Sequence, residues 1–121
     1  METPRIFDSE YQLAQIVWER EPLTTRELVR LCGEQLHWKR TTTYTQLKRL
    51  CDRGILKTEN SIVTSRISRA AIQLNESRNF LDRTFSGSVA QLVQAFTGGH
   101  ALTREEADEI RRLIDAYEES Q

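Results

Sequence analysis

Residues Thr24–Leu56 read TTRELVRLCGEQLHWKRTTTYTQLKRLCDRGIL, two amphipathic stretches of helical length around a short polar turn. Thr24 followed by Glu27 has the spacing of a capping box, in which each side chain takes a backbone N–H of the other. Leu28, Leu31 and Cys32 then recur on one side. The second stretch, roughly Thr41 to Arg53, sets Thr43, Leu47, Leu50 and Cys51 in a single stripe, and Gly54 supplies a left-handed stop. At about 100° per residue, Thr42, Thr45 and Arg49 fall on the opposite side, with Thr41, Lys48 and Arg53 on its shoulders. The core needs none of these six.

Threonine is a mediocre helix former because its branched β-carbon is stiff, so Thr41, Thr42, Thr43 and Thr45 in close succession are not what propensity selects. In a DNA major groove a hydroxyl can bond a base edge or a phosphate while its methyl meets a thymine methyl, and arginine can hold guanine O6 and N7 together. A solvated helix face with a threonine cap explains the same residues. Charge separates the two readings. The chain is close to neutral, net −1, yet Lys39 to Arg69 holds eight Lys/Arg against two acids while His100 to Gln121 holds three against seven. A local basic patch on a neutral protein is the electrostatic footprint of phosphate contact. The expected DNA surface is therefore Trp38, Lys39, Arg40, Thr41, Thr42, Thr45, Lys48, Arg49 and Arg53. Trp38 also reads as a turn anchor, and His37 as a cap or phosphate contact.

Ile55 to Ser68 reads as an antiparallel hairpin turning at Asn60-Ser61, with Ile62, Val63, Thr64 and Ile67 in the return strand. Upstream, Asp8 or Ser9 is placed to cap a first helix, Ser9 and Gln12 have box spacing, and Tyr11, Leu13, Ile16 and Val17 form its apolar side. Pro22 ends it. Three helices and a hairpin in this order describe a winged helix-turn-helix domain, expected over residues 1–70.

Residues 71–121 are expected to form three further helices. They run from Asn75 to Phe85, from Ser88 to Phe96 with a Ser88-x-x-Gln91 box, and from Thr103 to Glu119 with a Thr103-x-x-Glu106 box and Leu102 as its staple. Gly87 and Gly98-Gly99 separate them. Their apolar stripes hold Phe80, Leu81, Phe85, Leu92, Val93, Phe96, Ile110, Leu113, Ile114 and Tyr117, with Val89 and Ala107 alongside. Roughly 45 residues in short helices is near the size at which a chain needs a metal, a disulfide or a partner chain to bury enough surface. With His37, His100, Cys32 and Cys51 as the whole histidine and cysteine set, no metal site and no cofactor are expected. A homodimer is, with packing on the first domain as the alternative use of the stripes. Two copies would read paired half-sites of a pseudo-palindromic operator in double-stranded DNA.

Cys32 and Cys51 lie on apolar stripes and are expected to pack rather than sense redox state. The chain lacks a phosphate-binding glycine loop and a Cys/His or Ser/His pairing at usable spacing, which argues against an enzyme. No stretch reads as a signal peptide or membrane insertion, so a cytoplasmic location is expected. A rival class is a winged helix that docks a protein through Thr42, Thr45 and Arg49; the basic stretch weighs against it.

Three segments in order carry a family resemblance: DSEYQLAQIVWE (Asp8–Glu19), TTRELVRLC (Thr24–Cys32) and W-x-x-x-T-x-x-x-x-L-x-R-L-x-x-x-G (Trp38–Gly54). With GSVAQLVQAF (Gly87–Phe96) and LTREEADEIRRLIDAYEE (Leu102–Glu119), the chain resembles the penicillinase and methicillin-resistance repressors of the BlaI/MecI type. The resemblance implies a mainly α fold with a small β-hairpin wing, an N-terminal DNA-binding domain and a C-terminal helical dimerisation domain. It implies a dimeric transcriptional repressor of antibiotic-resistance genes that reads bases from Thr41, Thr42, Thr45 and Arg49. It further implies release by a membrane-bound metalloprotease receptor acting in trans, through a cut at Ala95-Phe96, where Ala95 replaces the family's usual asparagine. The family often has a basic residue at the position of Thr41 and a glycine-basic wing turn where this chain has Ile62-Val63. Copper-responsive relatives carry a C-terminal cysteine cluster that YEESQ lacks, which argues against copper sensing.

Overall fold

A computed structural model describes residues 3–118. Six helices and three strands occur among them, in the order α1 (Asp8–Arg20), β1 (Leu23–Thr24), α2 (Thr25–Leu36), α3 (Arg40–Asp52), β2 (Leu56–Glu59), β3 (Ile62–Ser65), α4 (Arg69–Phe85), α5 (Val89–Gly99) and α6 (Arg104–Tyr117). The fold is mainly α with a small antiparallel sheet, as expected. Glu119, the expected end of the last helix, lies outside the described residues. Contacts divide the chain into two compact units, Met1–Asn79 and Phe80–Gln121.

In the first unit the apolar sides of α1, α2 and α3 meet the sheet. Leu13, Ala14 and Val17 of α1, Leu28 and Cys32 of α2, Leu50 of α3, and Ile55, Val63 and Ile72 are all fully buried. Burial pushes the Cys32 thiol up from its ordinary range, with a Thr43 hydrogen bond opposing, as for a packed cysteine rather than a reactive thiolate. Cys51 is half-buried against Thr58 Oγ1 at 3.4 Å.

The start of α1 differs from expectation. Phe7, not Asp8 or Ser9, is the cap residue, and its N–H donates to the Glu10 carboxylate at 2.9 Å. Glu10 is 2% exposed and also pairs with Arg53 at the far end of α3. At the other end of α1, Glu21 accepts from Ser65 N at 2.8 Å and from Ser65 Oγ, tying the helix to β3. Trp18 donates its ring N–H to the Ile67 carbonyl at 3.0 Å and stands edge-on to Tyr11, which makes it an anchor.

The hairpin turns at Asn60-Ser61, both left-handed with φ of 52° and 62°, the backbone of a two-residue turn matched to strand twist. Ile67 lies beyond β3 rather than in it. The sheet has a third strand that sequence pattern did not reveal: β1 pairs antiparallel with β3, Leu23 opposite Val63 and Thr24 opposite Ile62, giving the order β1-β3-β2. Two residues are too few to show an alternation. Thr24 Oγ1 accepts from Glu27 N at 3.0 Å, but only this half of the expected box forms among the described residues. The Thr24 backbone is instead part of the ladder.

In the remaining stretch α4 begins at Arg69, six residues before the expected Asn75, because Ser68 Oγ accepts from Ala71 N at 3.1 Å and starts the helix there. Gly98 and Gly99 lie inside α5 rather than between helices. Ser88 Oγ accepts from Gln91 N at 3.1 Å. At α6 the whole box closes: Glu106 N donates to Thr103 Oγ1 at 3.1 Å, and Thr103 N to Glu106 Oε1 at 2.9 Å. The Thr103 backbone bond, then the Thr103 hydroxyl, hold the Glu106 carboxyl below its ordinary value. No helix of the described residues is long and apolar enough to cross a membrane.

Candidate nucleic-acid interface

Helix α3 packs against α1, α2 and β2, and what is left over is the candidate interface. Thr43, Leu47 and Leu50 are buried, with Thr43 only 1% exposed. The turn into α3 is made by His37, which takes the left-handed C-cap of α2 at φ 58° while Trp38 N donates to the Cys32 carbonyl. Trp38 packs half-buried against the core, so it anchors the turn. At the other end Gly54, at φ 77°, reverses the chain into β2, which is where sequence pattern put the stop.

The opposite surface of α3 carries exposed Thr41, Thr45, Lys48 and Arg49, with Thr42 half-exposed between them. Thr45 Oγ1 donates to the Thr41 carbonyl at 2.9 Å, which leaves its lone pairs free to accept. Lys39 and Arg40 are exposed at the helix start. Among the described residues, Lys39, Arg40 and Arg49 make no ion pair, so three cations are uncommitted along this face.

Besides Trp38, two of the nine expected contact residues are engaged elsewhere. Lys48 bonds Asp52 one turn on at 2.9 Å, and that bond raises the Lys48 ammonium above its ordinary value. Both are exposed, so the pair is weak and can open toward a phosphate. Arg53 turns the other way. It is 31% exposed, pairs with buried Glu10 and lies over the Phe7 ring at 5.6 Å, which ties the end of α3 to the start of α1.

Sequence reasoning missed Arg26 and Tyr44. Arg26, in the first turn of α2, lines a cavity with Thr25, Val29, Arg40 and Tyr44, and the Arg40 guanidinium lies 5.5 Å from the centre of the Tyr44 ring. Only the side-by-side packing of α2 and α3 brings these residues together, and no spacing within one helix encodes it.

The residues expected at a dimer contact are open. No described residue from 80 to 118 is buried. Phe80, Val93, Phe96, Ile110, Leu113, Ile114 and Tyr117 are exposed, Leu81, Phe85 and Leu92 half-exposed, and Phe80 meets Phe85 edge-on at 5.8 Å. Ala95 and Phe96 lie within α5.

Comparison with known proteins follows this architecture. A family model described as "Penicillinase repressor" matches residues 6–116. The penicillinase repressor of Bacillus licheniformis is 24% identical over 118 residues, covering 94% of this chain and 92% of that protein. The methicillin resistance regulatory protein MecI of Staphylococcus aureus is 24% identical over 117 residues, covering 93% and 95%. Among solved structures, the monomeric form of Bacillus licheniformis BlaI in complex with the blaP half-operator superposes with a TM-score of 0.51 at 25% identity, covering 59% of this chain and 93% of that one. The solution structure of the DNA-binding domain of the repressor BlaI gives a TM-score of 0.50 with the same identity and coverage.

Proposed function

Because the chain belongs to the penicillinase repressor family, we propose that this DNA-binding transcriptional repressor works as a homodimer that occupies a pseudo-palindromic operator with one α3 in each half-site. One observation supports the reading above the others. Thr41, Thr42, Thr45 and Arg49 stand on a single face of α3, opposite the buried Thr43, Leu47 and Leu50, so they are presented rigidly and serve no packing purpose. Arg49 suits bidentate guanine recognition, and the threonines suit thymine methyls and phosphate or base acceptors. Lys39, Arg40 and an opened Lys48 supply phosphate contacts, which position the helix without reading sequence. Repression follows from occupancy. The chain acts where the DNA is, in the cytoplasm, and catalyses nothing.

The relatives' names tie them to penicillinase and methicillin resistance, and antibiotic-resistance promoters are accordingly the first to probe. Release by a membrane-bound metalloprotease receptor, acting in trans at Ala95-Phe96, fits the exposed Phe96 side chain. The bond lies within α5, so that helix must unwind locally to enter a protease cleft. A cut there would unlink the half-sites, and a sample cleaved after Ala95 should lose cooperative operator binding.

Arg49→Ala tests the central reading. It should narrow the preference for operator over unrelated duplex by about 1–3 kcal/mol, relaxing specificity at the base pair it reads, while thermal unfolding and subunit association stay as in the wild type. Unchanged duplex binding by the folded, associated variant would mean that this face docks a protein instead.

A further inference from the structure

We propose that Arg26 of α2 and Arg40 of α3, with the hydroxyls of Thr25 and Tyr44, form a binding site for one phosphodiester of the DNA backbone on the flank of the reading helix. This rests on the reading of α3 as a DNA-binding element and adds a second helix to the grip. The two guanidinium-bearing side chains come from different helices and line one cavity of about 260 Å³. Neither makes an ion pair with any described residue. Two cations that line one cavity whose lining holds no carboxylate repel one another in the free protein, and an anion seated there reverses the sign of that interaction.

The side chains, rather than the end of α2, carry the site. Thr25 N already donates to the Ser61 carbonyl at 3.0 Å, and Glu27 N to Thr24 Oγ1 at 3.0 Å. The Tyr44 ring keeps the Arg40 guanidinium on this side of α3, at 5.5 Å from its centre. Arginine forks and hydroxyls match the oxygens of a phosphate, Val29 is the one aliphatic residue in the lining, and the Tyr44 ring is already faced by the Arg40 guanidinium. Tyr44 adjoins Thr45 in the chain, which puts the bound phosphate beside the bases that α3 reads. A contact of this kind fixes register and carries no sequence information.

Arg26→Ala in the full chain tests the site, since Arg26 is exposed and bonds no core group. The probes are a duplex selected from a random pool by the wild-type chain and an unselected duplex of equal length, titrated by fluorescence anisotropy over a potassium chloride series. Both should bind roughly tenfold more weakly, with their ratio unchanged and the salt slope shallower by about one per protomer. Wild-type affinity and slope in the variant would overturn the site. A loss confined to the selected duplex would overturn it too, because Arg26 would then be reading a base. Arg49→Ala, run alongside, should instead narrow the ratio between the duplexes by roughly 10- to 200-fold. A wild-type chain that binds neither duplex takes down the DNA reading and this site together.

Discussion

Glu10 shows how one side chain can set the pose of α3, a helix that it never enters. Its carboxylate is 2% exposed, accepts the Phe7 N–H at 2.9 Å and pairs with Arg53, so it caps α1 and clasps the last turn of α3 at once. A carboxylate this buried is tolerated only while both partners are present. Arg53→Ala removes one of them and leaves a buried charge that Phe7 alone satisfies, which should cost about 2–3 kcal/mol in urea unfolding. Arg53→Lys should recover much of the loss. If Arg53→Ala instead leaves stability untouched and weakens only duplex binding, Arg53 belongs with the phosphate contacts. Nothing in the sequence singled out Glu10, because a glutamate in the first turn of a helix looks like an ordinary favourable charge for the dipole. Its true partner is 43 positions away in the chain.

Elements were legible where their signal is local. The α3 stripe, the Gly54 stop, the Asn60-Ser61 turn and the α6 box all lie within a few residues of their cause, and each stands where the pattern put it. Elements that depend on distant pairing were not. β1 is a strand only because β3 lies beside it, and the cavity around Arg26 and Arg40 exists only because two helices pack together. The six-residue difference at the start of α4 has a different origin: by pattern Ser68 reads as the end of the hairpin, while its hydroxyl caps the helix. The hairpin turn itself invites a test. Ser61 holds φ 62°, a conformation that glycine adopts without the steric cost a side chain incurs. Ser61→Gly relieves about 1–2 kcal/mol of left-handed strain and adds about 0.4–1 kcal/mol of unfolded-chain entropy, so it should stabilise the first unit by about 0.5–1 kcal/mol in thermal unfolding, with the Thr25 N to Ser61 carbonyl bond retained because it is backbone to backbone. A destabilised variant would show that the Ser61 hydroxyl does something the fold depends on.

At the scale of the whole molecule, polar and apolar surface are distributed in a way that a lone subunit does not explain. Residues 80–118 contain no buried side chain, while Phe96 is 54% exposed, Ile114 58% and Leu113 52%. Exposed apolar stripes on successive helices are the surface that the proposed second copy would cover. A second copy suits it, because a repressor of this size contacts too few base pairs alone for genomic selectivity and gains it by linking two half-sites. Leu113→Glu puts a charge in the α6 stripe, away from the first unit's core. On the proposed homodimer it should leave a monomer in analytical ultracentrifugation and lower affinity for a paired-site duplex by about a hundredfold or more, the effective-concentration advantage of linkage. Binding to an isolated half-site should stay within a factor of about two, since each α3 still presents the same face. A variant that remains dimeric would move the interface off α6, whereas a monomer with undiminished paired-site affinity would mean that half-sites are read independently.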